Sequence, residues 1–112
     1  MIRFSLVLLF ASCLPLSAAV DFVRDVKPIF DRSCAGCHGD KQQLGQLRLD
    51  ARAIVLEGGV SGKTVTPGEP EKSELYLRVA GTSEHPRMPM GGELPAAEIE
   101  TIRQWIAEGA VW

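Results

Sequence analysis

Cys34 and Cys37 stand two residues apart, and His38 follows the second directly, in the run Cys34-Ala35-Gly36-Cys37-His38. Thiols at that spacing can both add to vinyl groups along one edge of a porphyrin, giving two thioethers, and an imidazole placed next falls beneath the central iron. The five residues fit covalent attachment of one haem c, with His38 as an axial iron ligand. Three other chemistries compete for them. A structural disulfide accounts for both cysteines but leaves His38 without a role. A thioredoxin-like redox pair needs βαβ surroundings, which the sequence lacks. A zinc site needs four ligands, and the exported chain offers only Cys34, Cys37, His38 and His85, with His38 too close to Cys37 along the backbone for an easy tetrahedron.

An axial imidazole leaves a sixth iron position, and the run from His85 to Gly92, His-Pro-Arg-Met-Pro-Met-Gly-Gly, is where a ligand is expected. A thioether is a soft, neutral donor that favours ferrous iron, which suits an electron carrier. Pro86 and Pro89 restrict the backbone on both sides of Met88 and should hold it extended. Residues two apart in an extended segment point the same way, so Met90 is the alternate to Met88, with His85 or an open site as further alternatives. The plainer reading is that both methionines fill gaps in the core. Haem also carries two propionates, and Arg48 and Arg87 are candidate partners for them, against the plainer reading of solvated surface charges.

Attachment of this kind requires reduced thiols meeting haem outside the cytoplasm, and the start of the chain is compatible with export. Met1-Ile2-Arg3 is a short positive start, Phe4 to Leu16 is almost wholly apolar, and Ser17-Ala18-Ala19 ends in small residues. These features predict a signal peptide over residues 1–19, cleaved after Ala19, since the apolar run is short for a membrane span. Phe10-Ala11-Ser12-Cys13 also resembles a bacterial lipoprotein processing site, with Phe10 where Leu is usual, so lipid anchoring at Cys13 is an alternative. Cleavage removes one basic residue and no acidic one, taking the formal charge from −2 to −3. That balance, without a basic cluster, argues against a nucleic-acid partner.

The elements that must position these residues read as one all-α domain over residues 20–112, with about four short helices around the haem. Phe22, Val26, Ile29 and Phe30 recur at helical spacing; Asp25 is placed to cap that helix, and Pro28 falls in its first turn. Asp50 is expected to cap a short helix from Ala51 to Glu57 that Gly58-Gly59 ends, and Pro70 to start another through Leu75 and Val79. Residues 58–70 read as loop. The last helix starts at Pro95, aligns Ile99, Ile102 and Ile106 beside Trp105, and stops at Gly109. Its apolar stripe should pack on Phe22, Val26 and Phe30. No alternating apolar run is long enough for a sheet. A domain this small has little core of its own, so the haem should supply the missing apolar centre.

The chain also resembles the planctomycete-type cytochrome c domain. The resemblance rests on Asp21-Phe22-Val23-Arg24-Asp25-Val26-Lys27-Pro28-Ile29-Phe30, Cys34-Ala35-Gly36-Cys37-His38-Gly39 and Leu47-Arg48-Leu49-Asp50. It continues through Gly58-Gly59-Val60-Ser61-Gly62, Pro67-Gly68-Glu69-Pro70, Arg87-Met88-Pro89 and the run from Trp105 to Trp112. It implies a variant of the monohaem cytochrome c fold, and its Met-Pro-Pro loop corresponds to Met88-Pro89-Met90, favouring Met88 as the ligand. Met90 stands where a second Pro is usual. Pro95 replaces a common capping Ser, which should loosen the start of the last helix.

The expected function is single-electron transfer by an exported, periplasmic monomer, with a redox protein as donor or acceptor and no substrate bond made or broken. A small peroxidase or ligand-binding haem protein with an open sixth site is the enzymatic alternative. A zinc- or disulfide-stapled interaction module is the third.

Overall fold

The computed structural model describes residues 19–60 and 62–112. The expected signal peptide, apart from Ala19, and the lipidation candidate Cys13 lie outside the described residues, as does Ser61. Four α-helices carry the fold: α1 (Lys27–Ser33), α2 (Arg52–Glu57), α3 (Glu74–Ala80) and α4 (Ala96–Ala107). Among the described residues the only bridged pairs are His38 with Gln43 and Gly59 with Gly62, too short to form a strand. The all-α expectation holds at this level.

The first helix begins earlier than its sequence signals suggest. A wide π-helical turn over Phe22–Val26 leads into α1, and Asp21 caps it by accepting the Arg24 N–H at 2.8 Å. Asp25 does not take the capping role expected of it. Its carboxylate instead accepts the Asp21 N–H at 2.9 Å and pairs with Arg24 at 2.8 Å. The wide turn has a local cause, because Pro28 has no N–H and cannot continue the regular ladder, and Lys27 N–H bonds Phe22 O, five residues back. Phe22, Val26, Ile29 and Phe30 are all buried, as their spacing predicts.

The helix expected to start at Pro70 is two pieces. A 3₁₀ turn spans Pro70–Lys72, and buried Ser73 breaks from helical geometry before α3 starts. Its side chain explains the break: Oγ accepts the Thr66 N–H at 2.9 Å and lies 2.9 Å from Glu69 O, tying the helix entry to the preceding loop. Asp50, expected to cap α2, has its carboxylate paired with Arg48, whose Nε donates at 2.9 Å.

α4 packs against the first helical segment as the apolar stripes require. Ile102, Trp105 and Ile106 are buried, and the Trp105 ring lies 5.6 Å from Phe22 and 5.8 Å from Phe30, centroid to centroid. Trp112 returns to stack on Phe22 at 3.8 Å, and Trp105 Nε1 donates to Val111 O at 2.7 Å, so the C-terminal residues close over the aromatic cluster. Arg32 pairs with Glu98 across the same junction, and Gly68 N–H donates to Ile106 O at 2.7 Å.

Candidate haem site

The C-terminus of α1 delivers the two cysteines. Cys34 N–H and Ala35 N–H both bond Phe30 O, at 2.9 and 2.8 Å, and the chain then closes one more turn, with His38 N–H on Cys34 O at 2.9 Å. Cys34, Cys37 and His38 therefore leave a single turn rooted in a helix anchored by buried Ile29 and Phe30. Cys34 is half-buried and Cys37 exposed, and neither forms a disulfide. Burial pushes the Cys34 thiol up to about 11, against a smaller pull from Arg32.

His38 is fixed through its backbone on both sides. Leu49 N–H donates to His38 O at 2.7 Å and Leu44 N–H to Cys37 O at 2.9 Å. Gly39 follows because nothing larger fits: a Cβ there would lie 2.4 Å from Ala35 O. Gly59 is equally constrained, since its Cβ would meet Gly45 O at 2.6 Å. That close approach seats Gly59 and Val60 against the turn at Leu44–Gln46, with Val60 N–H on Gly45 O at 2.9 Å.

These segments enclose a cavity of about 420 Å³, within the range common for cofactor sites. Cys34, Cys37 and His38 line one part, Leu47, Leu49, Leu75 and Val79 give it apolar walls, and Met88, Pro89 and Met90 line it from the second half of the chain. The loop carrying Met88 is held to α3, where Met88 N–H donates to Arg78 O at 3.2 Å. It is not extended through both methionines. Gly92 N–H returns to Pro89 O at 3.2 Å, turning the chain, so Met88 is half-buried while Met90 is 73% exposed. Both line the cavity, but they do not share the environment that an extended segment would provide. His85 is exposed and is not part of the lining.

The residues present fit a haem. The cavity is mainly apolar, its donor set is two thiols, an imidazole and two thioethers, and the Nδ1 of His38 is buried without a hydrogen-bond partner among the described residues. No group of three or more His, Cys, Asp or Glu side chains suited to holding a metal ion occurs among the described residues. Arg48 and Arg87 do not line the cavity: Arg48 pairs with Asp50, while Arg87 lies against Gly81 with Nη1 3.5 Å from Glu93.

The chain matches the Planctomycete cytochrome C family over residues 34–90, half of its length. It belongs to that family. The matched stretch runs from Cys34 to Met90, so it spans both cavity-lining groups of sulfur donors. No curated protein and no solved structure matches the chain. Membership of the Planctomycete cytochrome C family implies a c-type cytochrome and covalently bound haem c.

The charged lining of this cytochrome domain escaped sequence reasoning. Glu74 and Arg78 both face the cavity from α3 and pair at 2.9 Å, with side chains only 22% and 18% exposed. The signal was present: Leu75 and Val79 mark the inward face, and Glu74 and Arg78 sit beside them at the same i,i+4 spacing. Burial works against ionisation of Glu74, but hydrogen bonds from Ser83, at 2.6 Å, and Arg78 outweigh it and hold the carboxyl below its ordinary range.

Proposed function

We propose that the protein is an exported monohaem c-type cytochrome that carries single electrons, with haem c bound as thioethers by Cys34 and Cys37 and with His38 and Met88 as axial ligands. The carrying observation is that these four side chains, from opposite halves of the chain, converge on one apolar-walled cavity. When bound, haem supplies a one-electron couple between ferrous and ferric iron.

The chain's own residues then have separable tasks. Cys34 and Cys37 fix the macrocycle by two covalent bonds, and the backbone bonds around His38 limit where its imidazole can swing. Met88 offers a soft, neutral sulfur that stabilises ferrous over ferric iron. Leu47, Leu49, Leu75 and Val79 exclude water from the walls, while Leu44 and Val60 are exposed at the lining and mark where a redox protein could approach. A transient partner needs only a small interface. Export to the periplasm through the 1–19 signal peptide gives the thiols the compartment that haem attachment needs, and no substrate bond is made or broken.

The deciding experiment is expression with the leader in a host that has the cytochrome c maturation machinery. The expected product has a mass one haem greater than residues 20–112 and keeps its haem through denaturation and acid-acetone extraction. Colourless protein, or haem that extracts freely, would overturn the proposal and return the Cys34 to His38 run to a zinc or disulfide role.

A further inference from the structure

We infer that removal of the leader creates a charge that fastens the two ends of the fold: the new α-ammonium of Val20 pairs with Glu108 at the end of α4, an inference that rests on the export reading above, with cleavage after Ala19. Hydrolysis of the Ala19–Val20 bond puts the oxygen of water on Ala19 as a carboxylate and leaves the Val20 nitrogen as an ammonium. The bond joins an exposed residue, Ala19, to one that packs against the buried core, Val20. The Val20 nitrogen is already placed for the charge. Its N–H donates to Glu108 Oε1 at 2.8 Å, and Oε2 lies 3.4 Å away. An amide has a single hydrogen for these two oxygens, whereas an ammonium has three and a full charge.

The surroundings favour a cation at this point. The last turn of α4 carries no basic side chain, and Glu108 at its C-cap adds negative charge to the end where the helix dipole is already negative. A positive charge at Val20 answers both. Gln104 Nε2, 3.4 Å from Glu108 Oε2, steadies the carboxylate from one turn back. The charged groups of the first turn are engaged with one another: Asp21 accepts the Arg24 N–H, and Asp25 accepts the Asp21 N–H and pairs with the Arg24 guanidinium. Residues 109–112 bring no charged side chain. Phe22, two residues on, stacks on Trp112, so the ammonium fastens the same junction that the aromatic cluster packs. In the unprocessed chain that nitrogen is a neutral amide, and the junction is held less tightly.

The test compares three proteins exported from the maturation-competent host: wild type, Glu108→Gln, and a chain with one glycine inserted between Ala19 and Val20, which moves the amine away while keeping the Val20 N–H. Intact mass should place the wild-type start at Val20 and reads the haem in the same spectrum. Competitive trace labelling of the α-amine against pH should give a value above the ordinary range of about 7.7–8.0, with the reactive fraction at pH 7 about two- to threefold lower than in either variant. The wild type should melt above Glu108→Gln by the widest margin below about pH 7. That margin should narrow as the pH rises through the raised amine value, because deprotonation removes the charge that the folded state favours. Equal labelling in all three proteins would overturn the pairing. So would a mature chain that begins at Cys13 or keeps its leader, since Val20 then stays an amide. If Glu108→Gln does not fold, labelling of the glycine-extended chain decides on the same terms. A chain that starts at Val20 with a raised amine value but carries no haem would support the pairing and overturn the cytochrome reading instead.

Discussion

At the scale of single residues, the two methionines illustrate how position separates side chains of identical chemistry. Met88 and Met90 both line the cavity, but the turn closed by Gly92 leaves Met88 half-buried and Met90 73% exposed. On the ligand assignment proposed above, Met88→Ala should open the sixth iron position, raising the affinity of ferric protein for cyanide by about tenfold or more, equivalent to about 1.4 kcal/mol. Met90→Ala should leave it unchanged, and equal gains from both variants in a cyanide titration would contradict the ligand assignment. Gly39 makes a different kind of demand. A methyl group 2.4 Å from Ala35 O cannot be absorbed by a side chain moving aside, because the obstacle is backbone. Gly39→Ala should cost roughly 1–3 kcal/mol through displacement of the turn that holds His38. A thermal melt of the holoprotein should show this as a loss of several degrees.

Among the elements, the π-helical turn before α1 is the feature sequence periodicity could not resolve. Spacing of Phe22, Val26, Ile29 and Phe30 reports which face is buried, and that face was read correctly. It does not report whether the intervening hydrogen bonds run to the fourth or fifth residue back, and the missing N–H of Pro28 decides that. Asp25 became part of the turn instead of its cap, and hydrogen bonds from Arg24 and the Asp21 backbone lower its carboxyl to about 2. A folded-state value below the unfolded one, about 3.9, means that the contribution is complete above that range and is lost as the pH falls toward 2. Asp25→Asn should lower stability by a constant amount above about pH 4 and flatten the profile between pH 4 and 2, so that its difference from the parent is largest at pH 7 and shrinks as the pH falls. Chemical denaturation across that range checks it, and high salt should shrink the difference because the pair is solvent-exposed. α3 shows the complementary case: Ser73, read as part of a continuous helix, breaks it because its hydroxyl is occupied with Thr66 and Glu69.

For the whole molecule, the joined ends and the hollow middle make different contributions. Phe22, Phe30, Trp105 and Trp112 form a packed aromatic cluster, whereas the segments around the cavity, apart from the two-turn helix α3, are short turns and loops with few helical bonds of their own. Helices this short are marginal in water without tertiary support, and on the reading proposed above the haem face is that support for the middle of the chain. Cys34→Ala with Cys37→Ala should give a protease-sensitive product lacking a cooperative melt. A native-like far-UV circular dichroism spectrum with a sharp transition in that variant would show that the aromatic cluster suffices.

Sequence alone determined the all-α class, the buried face of the first and last helices and the grouping of Cys34, Cys37 and His38 on one turn, because each depends on spacings within one or two turns. It also singled out the loop that holds Met88. Tertiary structure decided that this loop and the cysteine turn line one cavity, that Met88 lies deeper than Met90, and that Arg78 lines the cavity while Arg48 and Arg87 do not. The physical reason is that local spacing sets which side chains share a face, whereas the guanidinium that reaches a buried site depends on how helices cross and on which carboxylates lie nearest. Arg48 meets Asp50 and Arg87 meets Glu93 before either reaches the cavity, and α3 carries Arg78 inward beside Leu75 and Val79.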